Sequence, residues 1–221
     1  MDIAYNSKII DLNHLIGLTK LIANNCNRID DNATYKLLKL RSFSIYNSAS
    51  IYNLNHLTNL TDLNIGYNTK MDENAIDKLI NLKKLDVSSN RTITNLNSHT
   101  NLEWLNISYS CGVTQDGISK LPNLKSLDIT HNTKITDISI FTNLTFLDIA
   151  YVDNFSDDDI NKLINLKKLK MCCNYTITNI EYLVNLIEYQ TLCPNKNFKH
   201  PTNKNFLWCD SRYIHFPLIY D

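Results

Sequence analysis

The sequence predicts one α/β solenoid, with a curved parallel sheet on the concave side and short helices alternating with 3₁₀ or irregular turns on the convex side. Three observations lead there. A short pattern, apolar at offsets 0, 3 and 5 and polar at offset 8, recurs from one end of the chain almost to the other. Its spacing alternates without exception between 22 and 20 residues, so the true unit is 42 residues. Two apolar side chains separated by one residue point the same way from a strand, so each copy is a short strand with its apolar face inward.

The template is Leu82, Leu85, Val87 and Asn90 in LKKLDVSSN. It returns at Leu18/Leu21/Ala23/Cys26, Leu40/Phe43/Ile45/Ser48, Leu60/Leu63/Ile65/Asn68, Leu102/Leu105/Ile107/Ser110, Leu124/Leu127/Ile129/Asn132, Leu144/Leu147/Ile149/Val152 and Leu166/Leu169/Met171/Asn174, with a worn copy at Leu186/Tyr189/Thr191/Pro194. Three residues after the polar position comes Ile29, Ile51, Met71, Ile93, Val113, Ile135, Phe155 or Ile177. This resembles the pattern of leucine-rich repeat proteins over residues 1–194, about ten strands, with 195–221 left as an aromatic-rich cap or tail. The resemblance implies that Asn68, Asn90, Asn132 and Asn174 bond to the backbone of neighbouring turns, and that Ser48, Ser110 and Cys26 do so more weakly. Val152 cannot, which predicts a local defect.

Met1, Ile3, Asn6 and Ile9 already fit the pattern, so the chain starts inside an incomplete repeat. An uncapped first strand would offer unpaired backbone groups for self-association. The longer connections, DDNATYKLLK from Asp30, DENAIDKLIN from Asp72, TQDGISKLPN from Thr114 and SDDDINKLIN from Ser156, begin with N-cap residues and space apolar side chains as helices do. The shorter ones, such as TNLNSHTN from Thr94 and TDISIFTN from Thr136, look like the compact turns of internalin-type and phosphatase-regulator-type repeats. The segment CGVTQDGISKLPNLKSLDI from Cys111 resembles the helical repeats of F-box proteins. In 195–221 the aromatics Phe198, Phe206, Trp208, Tyr213, Phe216 and Tyr220 suit a cap over the last repeat, and Lys196, Lys199, His200, Lys204 and Arg212 make it locally basic.

Twenty-two basic and 22 acidic side chains cancel, which argues against bulk attraction to nucleic acid or an anionic membrane. The start, MDIAYNSKII, lacks the features of a secretory signal, and no stretch approaches the ~20 apolar residues that span a bilayer. A cytoplasmic protein is therefore expected, with reduced thiols, since the adjacent Cys172 and Cys173 are poorly placed to bridge one another. The abundance of Asn, Ile, Lys and Tyr is similar to that of leucine-rich repeat proteins of amoebae or their large DNA viruses, which would make the location the host cytoplasm.

Residues between the apolar strand positions face the concave side and form columns. Tyr67, Tyr109 and Tyr151 share one column at intervals of 42, and Trp104 and Phe146 share another. Exposed aromatics bury much area at small entropic cost, so these are the expected partner anchors. Asp86, Asp128 and Asp148, with Asp62 nearby and Lys168 and Lys170 at one end, suit a protein partner with exposed Lys or Arg. No catalytic constellation, metal set or cofactor loop is expected: His131, Cys172 and Cys173 lack an orienting third group, and His14 and His56, 42 apart, are copies of one structural residue. The expected function is a non-enzymatic protein-binding module. Its rivals are a substrate-recognition arm of a ubiquitin ligase complex, which would need an F-box upstream of residue 1, and an array without a dedicated partner. The identical LINLKKL at Leu79 and Leu163 shows how closely duplicated the units are.

Overall fold

A computed structural model describes residues 1–191, 197–201 and 204–208. Ten parallel strands form one sheet in sequence order: β1 (Lys20–Ile22), β2 (Ser42–Ser44), β3 (Asp62–Asn64), β4 (Lys84–Asp86), β5 (Trp104–Asn106), β6 (Ser126–Asp128), β7 (Phe146–Asp148), β8 (Lys168–Lys170), β9 (Glu188–Thr191) and β10 (Asn205–Trp208). Most strands are only three residues long, too short to stand alone, so stacking of successive turns holds them. The register aligns Leu21, Phe43, Leu63, Leu85, Leu105, Leu127, Leu147, Leu169 and Tyr189 in one buried column. Before β1, Asp2 forms a parallel bridge with Ile22, and the Ile3 N–H donates to the Ile22 carbonyl at 2.8 Å.

The helices of the described residues all fall in the longer connections, as α1 (Asp31–Thr34), 3₁₀ turns at Glu73–Ala75 and Asp116–Ile118, and α2 (Asp157–Asn161). The expected helices are thus reduced to single turns, two of them 3₁₀. At Asp116–Ile118 the packing is close: a Cβ on Gly117 would lie 2.1 Å from the Thr94 carbonyl oxygen, so two connections meet backbone to backbone. N-caps act as expected at Asp30, which accepts from the Ala33 N–H, and at Asp72, which accepts from the Asn74 N–H. At α2 the Ser156 N–H and hydroxyl both donate to Asp159 Oδ2.

The buried ladder follows the Asn pattern with one correction, at Ser110. Asn68 Nδ2 donates to the Ile45 carbonyl, Asn90 Nδ2 to Asn68, Asn132 Nδ2 to Ile107 and Asn174 Nδ2 to Val152. Ser48 Oγ and Cys26 Sγ substitute, reaching the Ala23 and Ile3 carbonyls. Ser110 does not: Tyr109 and Ser110 are both left-handed, each with φ of 56°, and this extra residue moves the ladder role to Cys111, whose Sγ donates to the Val87 carbonyl. At Val152 the defect is local, and Asn154 Nδ2 reaches the Thr133 and Ile135 carbonyls instead.

Two further sets of stitches run along the outside. Asn59, Asn81, Asn101, Asn123, Asn143, Asn165 and Asn185, each just before the first leucine of a repeat, donate Nδ2 to a carbonyl of the preceding turn. In the longer connections, Asp31, Glu73, Gln115 and Asp157, 42 residues apart, accept backbone N–H groups of the following compact connection. Asparagine is therefore abundant for a structural reason.

In segment 195–221, β10 pairs with β9, and the rings of Phe198 and Phe206 lie 6.1 and 5.3 Å from that of Tyr189. His200 Nδ1 and Tyr189 Oη are 2.9 Å apart. Pro194, Lys196, Arg212, Tyr213, Phe216, Tyr220 and the side chain of Trp208 lie outside the described residues. The expectation of reduced thiols fails at Cys172, which is disulfide-bonded, while Cys26 and Cys111 are buried thiols outside any disulfide. Adjacency prevents a bond to Cys173 but not one to a cysteine elsewhere in the chain.

Asn90 also accepts the Thr92 and Ile93 N–H groups, so Asn90→Ala leaves several buried groups unpaired and should cost about 2–4 kcal/mol in urea unfolding. Asn123→Ala, on the exposed ladder, should cost about 0.5–1.5 kcal/mol in the same measurement. Gly117→Ala should cost about 1–3 kcal/mol, because backbone rather than a movable side chain blocks the added methyl group.

Candidate functional site

Each strand places two side chains on the concave face, one on either side of its buried residue. The first row runs Asp62, Lys84, Trp104, Ser126, Phe146, Lys168, Glu188, and the second Asn64, Asp86, Asn106, Asp128, Asp148, Lys170, Gln190. Trp104 and Phe146 are half-buried on alternate strands with Ser126 between them. Lys170 Nζ sits 5.7 Å from the Phe146 ring centroid and 4.0 Å from Asp148 Oδ2. Trp104 also walls a cavity of about 280 Å³ that includes Ser42, Ser44, Lys84 and Asp86, where Lys84 pairs with Asp62 at 3.7 Å.

The acidic row is not a set of free charges. Asp86, Asp128 and Asp148 each accept the backbone N–H two residues on, from Ser88, Thr130 and Ala150, at 2.9, 2.9 and 3.1 Å. Asn64 and Asn106 do the same for Gly66 and Ser108. These are strand-end turns in which Asp and Asn are interchangeable. Asp148 is only 4% exposed, contrary to its expected role as an open charge partner. Burial, then the neighbouring Asp128 carboxylate, pushes its carboxyl up to about 7. Burial also raises Asp128 and Asp86. Alternation along a strand assigns a face but not a depth, so sequence overcounted the charge here.

The tyrosine row is likewise displaced from the expected position. Tyr67, Tyr109 and Tyr151 sit in the turns beyond β3, β5 and β7, in left-handed conformation with φ of 61°, 56° and 59°. They line the edge where the strands end, apart from Trp104 and Phe146. The same conformation recurs at Asn25, Asn47, Ser89, His131 and Cys173. Backbone pairing continues through these turns: the N–H groups of Tyr67, Ser89, Tyr109, His131 and Tyr151 donate to the carbonyls of Ser88, Ser108, Thr130, Ala150 and Cys172.

Sequence reasoning missed that His131 belongs to this row. Its ring lies 5.5 Å from that of Tyr109 and stacks on Tyr151 at 4.2 Å and 12°. Burial lowers its pKa, favouring the neutral imidazole, and its ring is engaged in the stack. At the other end Tyr67 packs on Tyr46 at 5.0 Å, and burial, aided by Tyr67, pushes the Tyr46 hydroxyl up to about 12. Between Tyr67 and Tyr109 opens a cleft of about 730 Å³, lined also by Thr69, Ser89, Arg91, Ser110 and His131. The missed signal was the column containing Ser89 and His131, 42 residues apart. Among the described residues no three His, Cys, Asp or Glu side chains converge as a metal set, and no helix is long and apolar enough to cross a membrane.

Residues 100–143 match the family model described as leucine-rich repeats in two copies. A search of curated protein sequences finds no match. Among solved structures, the fold is similar to the internalin inlF of Listeria monocytogenes, with a TM-score of 0.69 and 19% identity over 95% of this chain and 67% of that one. It is also similar to internalin C2 of the same organism (TM-score 0.53, 22% identity, 88% and 81% covered). A chain of the yeast Rad7 and Elc1 complex matches with a TM-score of 0.67 and 18% identity over 86% of this chain and 61% of that one.

The raised carboxyl of Asp148 sets a pH dependence. Between the ordinary carboxylate value of 3.8 and about 7 the folded state holds a proton that the unfolded chain releases, so this group's contribution to stability falls as pH rises through that window. Asp148→Asn keeps the turn acceptor, as Asn64 and Asn106 do, and should raise stability at pH 8 by on the order of 2 kcal/mol, with much less effect at pH 4. Thermal unfolding of both proteins at the two pH values tests this.

Proposed function

Starting from the premise that the chain is a leucine-rich repeat protein, we propose that it is a non-enzymatic protein-binding module whose concave face receives a protein partner. The observation that supports this most is the pair of half-buried aromatics, Trp104 and Phe146, presented on alternate strands of a stacked sheet. Stacked strands hold such anchors in place before binding, which lowers the entropic cost of association. Tyr109 and Tyr151 extend the contact along the strand-end edge, with Tyr67 at its margin. Asp86 and Asp128, half-buried in the second row, are the acidic groups that Lys or Arg of the partner meets, while Asp148, being buried, acts by holding Lys170.

A second reading, an adaptor arm of a ubiquitin ligase complex, draws support from the likeness in fold to a chain of the Rad7 and Elc1 complex. Both readings place the protein in the cytoplasm, where thiols are kept reduced. The Cys172 disulfide makes that testable: in mass spectrometry of protein alkylated at lysis, an intact bond would overturn the cytoplasmic location and point to an oxidising compartment, and a reduced Cys172 would support it.

Affinity capture from cell lysate, comparing the wild type with Trp104→Ala/Tyr109→Ala/Phe146→Ala/Tyr151→Ala, tests the binding face. Circular dichroism first establishes that the variant folds. Proteins recovered with the wild type should be lost with the variant, and equal recovery would overturn the concave-face reading.

A further inference from the structure

The aromatic row at the strand-end edge holds its own comparison. One 42-residue unit supplies Tyr109, His131 and Tyr151, three rings in succession at 5.5 and 4.2 Å. The preceding unit supplies Tyr67, Ser89 and Tyr109 in the same positions, and Ser89 has the same left-handed backbone as His131, with φ of 56° against 57°. The row therefore lacks one ring between two tyrosines. Alternate strands lie about 9–10 Å apart, so a ring midway would sit about 5 Å from each neighbour, within the range at which aromatic pairs attract.

What borders the gap narrows the occupant. Arg91 stands where the later unit has Thr133, and among the described residues its guanidinium has no ion pair or hydrogen bond. The hydroxyl-bearing Ser89, Ser110 and Thr69 line the same cleft. Lys134, in the adjoining hollow, is engaged by the Cys111 carbonyl at 3.1 Å and by that of Gly112. The N–H groups of Tyr67, Ser89 and Tyr109 are consumed by neighbouring carbonyls, so they do not turn to a ligand in the cleft. One guanidinium with hydroxyl groups matches a carboxylate, with which it can pair bidentately.

We propose that the cleft between Tyr67 and Tyr109 receives an aromatic side chain from an acidic segment of a protein partner. Its ring takes the place that His131 holds between Tyr109 and Tyr151, and a carboxylate beside it pairs with Arg91. This deepens the reading of the tyrosine row as a binding surface and rests on it. It names a partner chemistry opposite to that of the acidic concave face.

The test titrates the full chain with the peptide Asp-Asp-Tyr-Asp-Asp, its alanine-centred version and a lysine-flanked version, followed by NMR shifts of the protein amides. The alanine-centred and lysine-flanked peptides should each bind at least about tenfold more weakly than the acidic tyrosine peptide. Ser89→His, which copies the filled unit, should weaken binding at least about tenfold while the thermal midpoint holds or rises. Should that variant fail to fold, Arg91→Gln at the exposed rim serves instead, and should weaken the acidic peptide about five- to tenfold. Trp104→Ala/Phe146→Ala should leave peptide affinity unchanged, which separates failure at this cleft from failure of the concave face. The proposal is overturned if the acidic tyrosine peptide does not bind at millimolar concentration, or binds no better than the alanine version. It is also overturned if folded Ser89→His retains full affinity, or if adenosine monophosphate binds in a Ser89→His-sensitive manner and the peptide does not.

Discussion

An open solenoid with three-residue strands leaves most of its backbone N–H and C=O groups outside the sheet, and those buried away from water have to find a partner within their own turn or on a neighbouring one. That requirement shapes this protein more than core packing does. The buried Asn, Ser and Cys side chains answer it under the strand ends, a row of Asn answers it before each strand, and acidic or amide side chains answer it between connections. The amide group suits the task because it both donates and accepts, so one side chain can serve a carbonyl of one turn and an N–H of another. Asn90, bonded to Asn68 above and to Thr92 and Ile93 beside it, is the clearest instance.

The same demand decides how much of the surface is left for function. Carboxylates at Asp86, Asp128 and Asp148 look like a charged stripe until their turn bonds are counted, and burial then raises the proton affinity of all three. Aromatic side chains carry no such obligation. Trp104 and Phe146 stand half-buried on the face, and Tyr67, Tyr109 and Tyr151 stand at the edge. Repetition on alternate turns also sets their separation, so that a small residue in the intervening turn leaves a space of one ring and a large one closes it. Ser89 and His131 are the two cases side by side.

The order, direction and register of the strands were legible in the residues, because offsets 0, 3, 5 and 8 at alternating intervals of 22 and 20 admit only a parallel stack with its leucines inward. The N-caps at Asp30 and Asp72 were legible for the same local reason. The outer Asn ladder was present in the sequence as a repeated Asn-Leu before each strand, from Asn59-Leu60 to Asn185-Leu186, and was missed because a leucine-centred template draws the eye past its neighbour.

By itself, the sequence determined the repeat, its 42-residue period and the columns that the period creates, since these follow from which side chains are apolar and how far apart they stand. Only the tertiary structure decided depth, pairing and exceptions. It moved the ladder from Ser110 to Cys111, buried Asp148, set His131 into a stack of rings and placed Cys172 in a disulfide. The burial of Asp148 and the stacking of His131 depend on what lies in the adjacent turns, 20 or 22 residues away, and not on the residue's own neighbours along the chain.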